Sequence, residues 1–341
     1  MRLSSIFNFE SLQGFSPHFP ATLLAVLGVV GALELGSRLI PENWLLSTRE
    51  MAQMDRVLLP RYKQPAVVFL GSSRIRFAVV PKLLDGELGL EANSTINLGL
   101  SGGRTYDALY YYEQHREMFK HAKLVVLAVD EWFLSSGYRQ GSVYYRLHAP
   151  LAERLRFSEP ARGTLLLDGL FTFRLKLNLL PLACANHLGY SVKLDRYDSN
   201  NQFVFEHNAG VAEKFAQRTY DNLLEAFYED FRISPVMEGH IAALASMARE
   251  DGARFVIVQT PNRSAYQMER DRLHWFEYRQ HICGLQRVAK TLGVPLYLFE
   301  NPADCGLNEA SFYDYGHMTP EGARTFTRRL GQIIKDDGLM K

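Results

Sequence analysis

Five short apolar runs punctuate the chain after residue 60, at about 66–70, 94–98, 123–129, 254–259 and 294–299. Runs such as Ala66-Val67-Val68-Phe69-Leu70 and Leu124-Val125-Val126-Leu127-Ala128-Val129 are apolar at successive positions rather than at alternate ones. That is the pattern of parallel strands covered on both faces. Between them lie stretches with helical spacing: Arg104–Lys120, with Leu109, Tyr112 and Met118 among its apolar positions, then Pro235–Glu250 and Leu273–Thr291. A last helix has a clear start, with Thr319 as N-cap and Pro320 at the first helical position, and runs to about Lys335. This alternation predicts an α/β fold: a flavodoxin-like three-layer sandwich around a mostly parallel five-stranded sheet.

Two stretches depart from the alternation. Residues 21–33 carry no charge, and the apolar character resumes at Leu35 after Glu34 and ends near Ile40. A spanning helix needs roughly 20 mostly apolar residues. An N-terminal segment 1–45 with one transmembrane helix at about 20–40 is therefore expected, a buried core helix being the alternative. Glu34 and Arg38 share a face and can pair. No small-x-small cleavage site follows, so the segment reads as an uncleaved anchor. Only Arg2 precedes it, whereas Arg38, Arg49, Arg56, Arg61 and Lys63 follow; counted alone, these charges would keep the domain that follows in the cytoplasm. The second departure is an insertion at about 135–233 within the α/β domain of 46–341. A parallel crossover needs only about a dozen residues or slightly more. Within the insertion Thr164–Cys184 is strongly apolar, but Asp168, Arg174 and Lys176 argue against a second span. An interfacial or partner-facing hairpin and a plain cap over the sheet both fit.

Composition narrows the function. Lys and Arg number 38 against 37 Asp and Glu, a net charge of +1, which gives no footprint for nucleic acid. Cys184, Cys283 and Cys305 have no metal-ligand spacing. Three buried thiols are expected, with a Cys283–Cys305 disulfide as the other arrangement. Neither a metal nor a cofactor is expected.

The candidate chemistry lies at the ends of the predicted strands, where open α/β sheets bind their ligands. The first strand runs into Gly71-Ser72-Ser73-Arg74-Ile75-Arg76, and a serine there can act as a nucleophile if a base lies nearby. The second runs into Asn97-Leu98-Gly99-Leu100-Ser101-Gly102-Gly103, where glycines let backbone N–H groups approach a ligand. The third ends in Asp130-Glu131-Trp132-Phe133. Before the last helix stands Asp314-Tyr315-Gly316-His317, which can supply a base and the carboxylate that orients it. Tyr110-Tyr111-Tyr112 has the chemistry to stack on a sugar, although core packing is the commoner use.

Taken together and in this order, these motifs resemble the SGNH (GDSL) hydrolases over about residues 65–135 and 250–335. Gly71-Ser72-Ser73 in place of Gly-Asp-Ser, together with the apolar N-terminal segment, is most similar to D-alanyl-lipoteichoic-acid-protein-like and alginate-acetylation-like acyltransferase members. The resemblance implies Ser73 as nucleophile with Ser72 its competitor, His317 as base and Asp314 as its orienting partner. It implies an oxyanion hole of the Ser73 and Gly102 N–H groups, with Asp130 at the place of the family's asparagine donor. An ionised carboxylate there cannot donate. Arg74, Arg76, Trp132, Asn262 and Arg263 are the candidate substrate contacts. The implied activity is O-acyl transfer, chiefly O-acetyl, to a cell-surface or exported polysaccharide through an acyl-serine. A carbohydrate esterase or a non-catalytic glycan-binding or assembly subunit is the alternative. The implied partners are the polysaccharide acceptor, the membrane, and an acyl donor delivered through a multi-pass membrane acyltransferase. The implied setting is single-pass in the inner membrane with the domain periplasmic, against the charge count.

Overall fold

A computed structural model describes residues 19–39, 54, 58–136, 196–197, 203–204, 220 and 222–341. The strands are β1 (Val67–Ser72), β2 (Thr95–Leu100), β3 (Leu124–Val129), β4 (Arg196–Tyr197), β5 (Phe203–Val204), β6 (Arg254–Gln259) and β7 (Leu296–Leu298). Five of them form one parallel sheet in the order β2-β1-β3-β6-β7. β4 and β5 pair separately as an antiparallel ladder of two residues each. The helices are α1 (Phe19–Arg38), α2 (Ser73–Ala78), α3 (Pro81–Leu88), α4 (Thr105–Gln114), α5 (Arg116–Phe119), α6 (Pro235–Glu250), α7 (Ser264–Leu292) and α8 (Pro320–Asp336).

The strands are apolar on both sides because both sides are covered. Val68, Leu70, Val125, Leu127 and Ile257 join the core formed with Leu109 of α4, Ile241 and Leu244 of α6, and Ile282 and Leu285 of α7. Val67, Phe69, Val126, Ala128, Val256 and Val258 point the other way, onto Ile75 of α2, Leu84 of α3 and Ala323, Phe326 and Leu330 of α8. Residues i and i+1 of a strand face opposite sides, so a continuous apolar run feeds two cores at once. Tyr110, Tyr111 and Tyr112 are all buried, so they pack the core rather than offer a sugar platform.

Helix boundaries follow local chemistry. Thr319 caps α8 by accepting from the Gly322 N–H at 3.2 Å, with Pro320 at the first turn. The helix expected over Arg104–Lys120 stops at Gln114, where His115 leaves the helical region, and resumes as the four-residue α5. α7 begins nine residues before the expected Leu273, since it runs from Ser264 and is kinked at His274 (φ −138°, ψ 31°). Its second half carries most of the buried apolar residues, Tyr278, Ile282, Leu285, Val288 and Ala289, whereas the first half buries Tyr266 and Arg270.

The segment at about 20–40 forms a helix, α1, and among the described residues no helix is long and apolar enough to cross a membrane. The expectation of three buried thiols needs correction. Cys283 is exposed while Cys305 is buried, and neither is in a disulfide. Cys184 and the apolar Thr164–Cys184 stretch lie outside the described residues, as does most of the insertion.

Candidate active site

The order β2-β1-β3 places a switch of winding direction between β1 and β3, and the carboxyl ends of these strands border the site. β1 ends in a turn that only glycine enters easily. Gly71 has φ +147°, and a Cβ there would lie 2.5 Å from the Ala128 carbonyl oxygen on β3. Ser72 then caps α2: its Oγ accepts from the Arg74 N–H at 3.1 Å. Ser72 is buried, with its hydroxyl taken up by the cap. Ser73 is the first residue of α2, where backbone N–H groups have no intrahelical acceptor.

Across from it, the turn before α8 is shaped by Asp314. One carboxylate oxygen, Oδ1, accepts from the N–H groups of Gly316 (3.0 Å) and His317 (2.8 Å). The other, Oδ2, lies 2.7 Å from His317 Nδ1. His317 Nε2 lies 2.8 Å from Ser73 Oγ. Burial alone would raise the Asp314 carboxyl, but the imidazole and the N–H groups of Gly316 and His317 outweigh it and hold it at about 2. Asp314 is therefore an acceptor at any ordinary pH. Nδ1 must then carry a proton, which leaves Nε2 of the neutral ring as an acceptor for the serine hydroxyl. Phe77 stands edge-on to the imidazole at 4.9 Å and Tyr315 at 5.8 Å, walls that limit its rotation. The side chains of His317 and Asp314 are 20% and 38% exposed, so solvent and a substrate reach the pair.

The remaining candidates fall differently. Gly102 sits in the turn after β2 with φ +62°. Asn97 is structural: its amide donates to the carbonyls of Ile75 (2.9 Å) and Val79 (3.2 Å) and so ties α2 to β2. Asp130 is buried and lies 3.5 Å from Arg74 Nη1. Burial pushes its carboxyl up, and Arg74 and Ser72 oppose the shift. Arg74 and Arg76, expected at an open rim, are buried instead. Arg76 donates to Ser101 Oγ at 2.8 Å. Trp132 is buried and stacked on Phe227 at 4.3 Å. Asn262 is buried and donates to Glu131 at 2.8 Å. Among the five proposed substrate contacts only Arg263 reaches solvent, and it is paired with Glu309.

Sequence reading missed the centre of this buried set, Glu131. It accepts from Tyr266 Oη (2.7 Å), Asn262 Nδ2 (2.8 Å), Arg270 Nη1 (2.8 Å) and Arg74 Nη2 (3.4 Å). Burial would raise its carboxyl, but Arg74, Arg270 and Tyr266 hold it below the ordinary carboxylate range. The only signal was a second carboxylate beside Asp130, with no local trace of its distant partners.

The fold and site thus define a parallel α/β sandwich with a hydrogen-bonded serine, histidine and aspartate at its carboxyl edge. No protein-family profile and no curated protein matches the chain. Among solved structures it is similar to a GDSL-like lipase from Bacteroides thetaiotaomicron, at 13% identity and TM-score 0.38, over 85% of this chain and 98% of that one. It is also similar to an acetyl xylan esterase, at 12% identity and TM-score 0.39, over 79% of this chain and 98% of that one. Likenesses this distant leave the function to be argued from the side chains themselves.

Proposed function

We propose that the chain is a serine-dependent acyltransferase or esterase that works through an acyl-Ser73 intermediate. The observation that carries this is the continuous relay Ser73 Oγ–His317 Nε2–His317 Nδ1–Asp314 Oδ2, with separations of 2.8 and 2.7 Å. His317 Nε2 takes the hydroxyl proton as Ser73 Oγ bonds to the ester carbonyl carbon. The carbonyl oxygen becomes an oxyanion, and the N–H groups of Ser73 and Gly102 are its proposed donors. The carbon–oxygen bond to the leaving alcohol then breaks, and that alcohol takes the proton from His317. In the second half, water or a sugar hydroxyl gives its proton to His317 and attacks the acyl carbon. Ser73 leaves and recovers the proton.

The acceptor we propose is a polysaccharide hydroxyl and the acyl group acetyl, with attachment to the cytoplasmic membrane through α1 and the domain on its outer side. A multi-pass acyltransferase would supply the acyl group. Support for attachment is the set of exposed apolar side chains along α1, including Leu24, Val29 and Leu35. A fluorophosphonate probe tests the core reading: it should label wild type and not Ser73→Ala. Wild-type protein that stays unlabelled under conditions where it is folded overturns it.

A further inference from the structure

Arg74 takes no step in that cycle, yet it is the largest fully buried side chain among the described residues. Its guanidinium joins three parts of the site. Nη1 lies 3.5 Å from Asp130 and Nη2 lies 3.4 Å from Glu131, both just past the end of β3. Its central carbon lies 4.8 Å from the Trp132 ring and 4.9 Å from the Tyr315 ring. Its Nε abuts Gly316, where a Cβ would come within 2.7 Å. Its own backbone N–H caps onto Ser72, beside the nucleophile. Tyr315 and Gly316 are the two residues before His317, so Arg74 touches both turns that the relay bridges.

We infer that Arg74 is a positioning residue: its guanidinium, held by Asp130 and Glu131, fixes the Tyr315–Gly316 turn and so keeps His317 Nε2 on Ser73 Oγ. The inference rests on the serine–histidine reading above. A planar cation suits the place because it can stack on aromatic rings with its faces while its edge meets carboxylates. A lysine matches the charge but not the plane. Burial disfavours the charge on Arg74, and Asp130 and Glu131 outweigh that, so the group stays protonated. The charged and titratable groups around it are Asp130 and Glu131 after β3, Tyr266 and (through Glu131) Arg270 from α7, and Tyr315 from the histidine turn. Around His317 they are Asp314 and Asp130.

The test measures the rate of fluorophosphonate labelling for wild type, Arg74→Lys, Arg74→Met and Arg74→Met/Asp130→Asn, each normalised to folded protein. Arg74→Lys should label roughly 10- to 100-fold more slowly, the scale of a misplacement of about 1 Å between reacting groups. Arg74→Met should slow labelling at least as much as Arg74→Lys, and the double variant, which also removes the stranded Asp130 carboxyl, should recover stability without restoring the rate. A purely structural arginine would lower the melting temperature and leave the labelling rate of folded protein and the Ser73–His317 contact in place. If Arg74→Met does not fold, Arg74→Lys decides. Crystal structures of wild type and Arg74→Lys read the Ser73–His317 separation whatever the activity. A wild-type rate in Arg74→Lys with the contact kept at 2.8 Å overturns the inference. Wild type that never labels overturns the acyl-transfer reading instead, and the crystallographic separation then decides the role of Arg74 alone.

Discussion

Glu131→Gln removes one charge from the centre of the buried network and almost nothing else. The carboxylate is fully buried and accepts from four donors, two of them the guanidinium groups of Arg74 and Arg270. Removing one partner of a buried ion pair costs about 3–5 kcal/mol, because the other charge is left in a medium that solvates it poorly. Here the loss is softened. Arg74 keeps Asp130 at 3.5 Å, Arg270 keeps Asp271 at 2.7 Å, and the glutamine oxygen still accepts. The low end, about 3 kcal/mol, is therefore expected. For a domain of this size each kcal/mol moves the melting temperature by about 2–4 °C, so the variant should melt roughly 6–12 °C below wild type near pH 7. The pH dependence follows from the sign of the shift. A carboxyl held below its unfolded value contributes stability above the unfolded pKa of about 4.3 and loses it as pH falls through the folded value. The gap between wild type and variant should thus be full near neutrality and close on acidification below about pH 4. Thermal melts followed by circular dichroism at several pH values measure it. A variant that melts within about 2 °C of wild type at pH 7 would refute the reasoning, since the pair energies above would then be absent.

Ser72→Ala should still label with a fluorophosphonate, at a cost of about 1 kcal/mol in stability from the lost cap, whereas Ser73→Ala should not label; mass spectrometry of the modified peptide decides. Asp314→Asn should slow labelling by a factor of about 10² or more, since an amide no longer fixes the imidazole tautomer, while wild-type Asp314, held at about 2, should add no titration to the profile above about pH 4. A rate unchanged in Asp314→Asn would remove the orienting role. Phe326→Ala should destabilise by about 3–5 kcal/mol, because Phe326 is fully buried between α8 and the sheet; chemical denaturation would show a midpoint shift, and labelling below the transition should persist.

What was legible in the chain depended on the range of the interactions. The strands were legible because each buried parallel strand carries its own apolar run: Leu124–Val129 is buried at every position. The serine, aspartate and histidine were legible as turn motifs, and Asp314 and His317 bond within a three-residue span. The start of α8 was legible for the same local reason, Thr319 and Pro320. α2 escaped notice because it is six residues long and begins directly at the strand end. α3 left a sign in Pro81 at its first turn, which the apolar pattern around it did not draw attention to. Trp132 and Asn262 read as surface contacts because nothing near them in the chain says what covers them. Their partners, Phe227 and Glu131, lie far along the chain, Asn262 and Glu131 being 131 residues apart. Arg74 reached Glu131 over 57 residues and Arg270 over 139. Charges that pair at such distance look like solvated charges until the fold is known.

The central claim is that Ser73 becomes acylated with His317 as its base. The direct measurement is rapid-quench mass spectrometry of the folded protein with an activated acetyl ester, mapped to the peptide carrying Ser72 and Ser73. Wild type should show one acetyl group on Ser73 that forms before product accumulates, and His317→Ala should form it roughly 10²–10⁴-fold more slowly, the usual contribution of a general base. Acetylation that lands on Ser72, or that proceeds at the wild-type rate without His317, would contradict the account.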